Sequence, residues 1–258
     1  MFVKASDKVA TQGSTLILPA VSIGNVPQLA VDLLINTLSL PRIGIIDTGS
    51  LIPMSGPAGF DHLSEEKAVP LEVYQTEDKK WTIVQQRSPP LAKHHRVFAQ
   101  EIVEFIKSGG FDRVILLASS DAALRADALI SGPQIRTLTV NWSDEDLVSK
   151  FRDLSLNDLA DTHAGDAADT DRSEALKKSL KQLHSAGITR PLLERCLEEG
   201  VPVAACVSLV NEGDNVPDAI MLANAVNAAL ELLSGVAQWQ PPRSWEWLMP
   251  SNTPTEMF

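Results

Sequence analysis

Apolar residues come in two rhythms along this chain. At residues 16–23 they run almost unbroken through Leu16, Ile17, Leu18, Ala20, Val21 and Ile23, which predicts a strand buried on both faces. From Pro27 the spacing changes to threes and fours. Leu29, Ala30, Leu33, Leu34 and Leu38 then share one side of a helix that reaches about residue 39. The same succession returns near the other end. Residues 201–209 are largely apolar, and after Pro217 the apolar positions are Ala219, Leu222, Ala223, Val226, Ala229, Leu230 and Leu233, with Asn224, Asn227 and Glu231 opposite. Both junctions use nearly the same residues, Gly24-Asn25-Val26-Pro27 and Gly213-Asp214-Asn215-Val216-Pro217. Proline suits a first helical turn, whose N–H groups have no intrahelical partner. The residue before proline is pushed toward extended geometry, which places Val26 and Val216 just outside their helices. Gly24 and Gly213 permit the turn, and Asp218 complements the helix dipole.

Between these units, residues 42–47 read as a short strand and 51–70, rich in Pro, Gly and Ser, as loop. Residues 71–76 and 81–88 alternate around Glu77-Asp78-Lys79-Lys80, a hairpin pattern. A helix over about 93–108 stops at Gly109 and Gly110. A buried strand follows at 113–119, and a short one at 138–140. Residues 143–172 are polar, and about 158–171 reads as a mobile acidic insertion. Helices follow at 173–184 and 190–199. The order predicts an α/β fold: one layered domain over residues 1–258, with a mixed, mostly parallel sheet flanked by helices. Residues 236–258 differ in character. Trp239, Trp245 and Trp247 lie among prolines, a segment expected to strap an apolar surface.

Composition narrows the function. The net charge of −11 argues against a nucleic-acid partner, which calls for a basic footprint. No apolar run approaches the roughly 20 residues of a membrane helix. Cys196 and Cys206 read as reduced packing residues of a cytosolic protein. Asp47-Thr48-Gly49-Ser50 imitates an aspartic-protease loop. That chemistry needs a second carboxylate loop, which the chain lacks, so a turn with Asp47 bonding nearby N–H groups is the simpler reading. Ser119-Ser120-Asp121 ends a strand, where α/β sheets bind ligands, and equally suits a helix cap. His94 and His95 sit side by side at a basic helix end and point about 100° apart. Together with His62, His163 and His184 they make no metal set. No dinucleotide, P-loop or nucleophile-elbow motif occurs, and nothing calls for a cofactor or metal.

The block from Leu18 to Leu34, with the Asn211–Ala219 block and Pro242-Arg243-Ser244-Trp245, resembles the proteasome assembly chaperone 2 family. The likeness covers both ends in order and is patchy between about residues 55 and 190. It implies a non-catalytic α/β chaperone of the cytoplasm, extending to the nucleus. Such a chaperone pairs with a proteasome assembly chaperone 1-like protein. The pair holds α-type subunits of the 20S proteasome during α-ring formation and prevents off-pathway ring dimers. The candidate partner-binding residues are Asn25, Val26, Pro27, Asn215, Val216 and Pro217 in the two loops, with Met257 and Phe258 at the end. Some members of the wider group end in a hydrophobic–tyrosine–any tripeptide. Here it reads Glu256-Met257-Phe258, leaving Met257 and Phe258 as apolar anchors. The competing reading is a small-molecule enzyme of nucleoside phosphorylase or hydrolase type, using Ser119, Ser120 and the Asn25 and Asn215 loops.

Overall fold

The computed structural model describes residues 1–5, 9–63, 65–124, 134–154, 156, 159, 169–233 and 238–247. Its eight strands are β1 (Phe2–Lys4), β2 (Thr15–Pro19), β3 (Arg42–Ile46), β4 (Leu71–Gln75), β5 (Trp81–Gln86), β6 (Arg113–Asp121), β7 (Ile135–Val140) and β8 (Val203–Val210). They form one sheet in the order β1-β3-β4-β5-β2-β6-β8-β7. Parallel pairing occupies the central four strands, β5, β2, β6 and β8. Antiparallel strands bound them: β4, β3 and β1 on one side, β7 on the other. The predicted hairpin is β4–β5, with Leu71 opposite Gln86 and Gln75 opposite Thr82. Strand β1 had no periodic signal because it is three residues long.

The period-two rule divides the core. Along β8, Val203, Ala205, Val207 and Leu209 face one apolar layer, while Ala204, Cys206 and Val210 face the other. The first layer packs against α2 (His95–Gly109), α4 (Asp169–Lys181) and α5 (Thr189–Glu198). The second packs against α1 (Val26–Thr37), α3 (Glu145–Asp153) and α6 (Val216–Leu230). Helix α2 stops at Gly110, whose φ of 63° is the left-handed geometry that glycine supplies at a helix end. His94 precedes α2, so the two adjacent histidines do not share a helix as the sequence pattern implied.

Most of the acidic stretch expected to be mobile, about 158–171, lies outside the described residues, as does His163. Leu159 is described and buried, its N–H donating to the Thr137 carbonyl at 2.7 Å, and α4 begins at Asp169. The side chain of Trp247 and all of residues 248–258, including Met257 and Phe258, are likewise outside the described residues. Among the described residues no helix is long and apolar enough to cross a membrane.

Candidate functional site

The two Asn-Val-Pro loops meet. Strands β2 and β8 flank β6 in the parallel block, so their C-terminal ends release α1 and α6 at the same edge and onto the same face. Gly24 has φ +69°, and a Cβ placed there would lie 2.5 Å from Oδ1 of Asn215. Asn215 is buried and cannot yield easily. Its Nδ2 donates to the Asn211 carbonyl and to Asp218 Oδ2, both at 2.8 Å, and its Oδ1 accepts from the Gly213 N–H at 3.2 Å. Gly24→Ala should therefore cost about 1–3 kcal/mol of stability, combining left-handed strain with the collision. Urea denaturation checks this, and adding Asn215→Ala should recover part of the loss.

The local geometry corrects two expectations. Both helices start one residue early, at Val26 and Val216. In the first loop Gly24 and Asn25 are both left-handed, which completes the turn before Val26 (φ −54°, ψ −45°) and puts that side chain into the core. Gly213 is not among the residues with positive φ. The second turn is held instead by side chains, those of Asn215 and of Asp214, whose Oδ1 accepts from the Val216 N–H at 3.2 Å.

Of the predicted loop residues, Asn25 and Pro217 are exposed, Val216 is half-buried, and Val26, Pro27 and Asn215 are buried. The Asn-Val-Pro signature is thus mainly a folding device that brings α1 and α6 together. Helices α1 and α6, 12 and 15 residues long, carry one charged side chain each, Asp32 and Asp218. Asp32 is buried. On the other layer α2 carries Arg96, Glu101, Glu104 and Lys107, and α5 carries Arg190, Glu194, Arg195 and Glu198. In the second layer the charge is carried by α3, with Glu145, Asp146, Lys150, Arg152 and Asp153, while α1, mostly buried, and α6 are charge-poor. The exposed positions of α6 are Pro217, Met221, Asn224 and Ala228, with Met221 49% exposed, and Leu29, Ile220 and Ala225 are half-buried beside them. Low charge with an exposed methionine is a composition enriched at the cores of protein–protein contacts in general.

The other candidates are absorbed by structure. Ser119 Oγ donates to the Ile23 carbonyl at 2.6 Å and lies 2.8 Å from Ser22 Oγ. Ser120 Oγ donates to the His184 carbonyl and accepts its N–H, both at 3.0 Å. Asp121 Oδ1 accepts from Ala123 N–H at 2.9 Å, so this group does cap a short turn. Both serines thus tie loops to the strand ends rather than facing a substrate. Asp47 is exposed, and the turn there is held by Thr48 Oγ1, which accepts the Ser50 N–H at 2.9 Å and donates to Glu101. The expected hydrogen bonding by the Asp47 carboxylate is replaced by that of its neighbour.

Cys196 and Cys206 are fully buried, and desolvation pushes both thiols from 9.0 up to about 12. A raised thiol pKa keeps the native state protonated after the unfolded chain has ionised. The stability it contributes is whole below pH 9 and is lost as pH rises toward 12. Urea midpoints between pH 8.5 and 11 should fall more steeply for the native sequence than for Cys206→Ala.

A family model described as the PAC2 family matches residues 16–239. The chain belongs to the PAC2 family. Within it, the chain is 35% identical to proteasome assembly chaperone 2 of Danio rerio over 268 aligned residues, covering all of both proteins. It is 31% identical to proteasome assembly chaperone 2 of Homo sapiens, covering 95% of each. This PAC2 family member is therefore a homologue of proteasome assembly chaperone 2, and the relationship is to an assembly chaperone rather than to an enzyme. The fold is shared with Pyrococcus furiosus PbaA, described as an archaeal homolog of proteasome-assembly chaperone. There the TM-score is 0.61 at 18% identity, covering 92% of this chain and 88% of that one.

Proposed function

We propose that this protein assists 20S proteasome assembly by binding alone. It pairs with a related chain resembling proteasome assembly chaperone 1, and the pair holds α-type subunits while the α-ring forms, keeping rings from dimerising off-pathway. Full-length identity to proteasome assembly chaperone 2 supports the process. The observation that carries the mode of action is the charge-poor surface of α1 and α6. In a chain with net charge −11, a helix pair whose accessible positions include Leu29, Pro217, Ile220, Met221 and Ala228, with Gln28 and Asn224 as uncharged polar neighbours, fits a largely apolar partner surface. The Asn25 and Pro217 loop edges extend that surface. Met257 and Phe258 are proposed as a second contact, to the α-ring. The working location is the cytoplasm and nucleus, where α-type subunits are assembled.

Gentle purification of the tagged protein, with mass spectrometry of what accompanies it, tests the proposal. A stoichiometric related α/β chain together with α-type subunits is the expected result. A free monomer in native lysate, with neither attached, would overturn it.

A further inference from the structure

Residues 238–247 return from α6 across the face of α1, and the way they are held is specific. Gln240 is read through its backbone: its N–H donates to Thr37 Oγ1 at 3.0 Å, and its carbonyl accepts from Asn36 Nδ2 at 2.9 Å. Pro241 and Pro242 follow, with no N–H to satisfy. On either side stands an indole. Trp239 Nε1 donates to Asn224 Oδ1 of α6 at 2.7 Å, and Trp245 Nε1 donates to Asp32 Oδ2 of α1 at 3.2 Å. The Trp245 ring is 3% exposed. Ser244 Oγ completes the set by donating to the Gly59 carbonyl at 3.2 Å.

The receiving groups are fixed by the body of the protein. Gln85 Nε2 and Arg87 Nη2 both donate to Asp32 Oδ1, at 2.6 and 3.2 Å, which leaves Oδ2 to the indole. Asn36 and Thr37 are neighbours on α1, and Gly59 is held against Arg87, whose Nη2 lies 2.2 Å from where a Cβ would stand. A peptide gripped at one backbone unit by side chains of a helix, with an indole seated on either side and a 3-10 turn at 243–247, has the anchors and spacing of a peptide in a binding groove.

We infer that α1, α6 and the loop at Gly59 form a peptide-binding groove for Trp-x-Pro-Pro-x-x-Trp segments that turn into a short 3-10 helix after the prolines, filled in cis by the chain's own residues 239–245. A segment of the same pattern on another chain fits when the cis segment is out. This stands independently of the assembly reading, because it rests on contacts within the chain.

The test uses a fluorescein-labelled peptide of residues 238–247 and the full-length protein. A Trp239→Ala/Trp245→Ala variant vacates the groove. It should bind the peptide saturably, whereas the native chain should bind on the order of 100-fold more weakly, because a short tether holds the cis segment at about 1 mM against a peptide Kd of about 10 µM. Adding Asn36→Ala to the vacated variant should weaken binding at least about fivefold, and a peptide with both tryptophans replaced by alanine should not bind. If the alanine variant does not fold, Trp245→Phe serves, since it keeps a packed ring and loses only the N–H; it should bind more tightly than the native chain. No binding to either variant, equal binding to native and vacated chains, or equal binding of the tryptophan-free peptide would overturn the inference.

Discussion

Replacing Arg87 by alanine is expected to cost about 3–5 kcal/mol of stability, a large fraction of what holds a domain folded. Arg87 Nη2 lies 3.2 Å from Asp32 Oδ1, and its Nε lies 3.1 Å from Glu72 Oε2. Both carboxylates are buried. Burial already raises the Asp32 pKa, against the lowering influence of Arg87 beside it. Without the guanidinium, two carboxylates would sit in the core with only Arg42, 2.9 Å from Glu72 Oε1, to compensate them. Removing one partner of a buried pair is far more damaging than removing the whole pair, so Arg87→Ala combined with Asp32→Asn should recover a substantial part of the loss. Equilibrium urea unfolding of the three proteins measures both effects. A loss under 1 kcal/mol for Arg87→Ala would mean that water reaches the network.

That network also marks where the sequence pattern stopped being informative. The alternation in β4 and β5 announced a hairpin but not what its polar residues Glu72 and Gln85 meet. The hairpin is there, yet Glu72, Gln85 and Gln86 are all buried. What covers the Glu72 and Gln85 face is α1 with Trp245, from residues far away in the chain, and period-two alternation carries no information about a distant cover. Asn227 misled in the same way. Helical spacing set it on the outer face, but it is buried, its Oδ1 accepting the Leu233 N–H at 2.8 Å beyond the helix end. By contrast the two strand–loop–helix units, the hairpin and the Gly110 stop were legible, because each depends on neighbours within a few residues. The site divided along the same line. Its loops were visible as repeated words. The surface those loops create was signalled only by a run without charge, Ala219 to Leu230, that is unremarkable until its outward positions are known.

Met221→Arg should weaken pairing with the partner chain at least about 30-fold, the loss of one central contact worth about 2 kcal/mol or more. Its side chain is 49% exposed on a helix whose remaining charge is confined to Asp218 in the first turn. An arginine there is tolerated by the free chain, which has water to offer it, and unmatched in an apolar contact, where it is buried without a partner. The melting temperature should stay within a few degrees of the native value. A matching substitution on the other layer, Glu104→Arg on α2, should leave pairing nearly unchanged, since that helix face is solvated in both states. Titration by calorimetry against the purified partner separates the two.

On the proposed function, the charge-poor surface of α1 and α6 is the face that holds another chain. Hydrogen exchange, compared between the free protein and its complex with the partner chain, tests it most directly. New protection is expected at residues 23–29 and 216–225, with the outward amides of α2 and α5 unchanged. Protection confined to α2 and α5, with residues 216–225 exchanging as in the free protein, would contradict it.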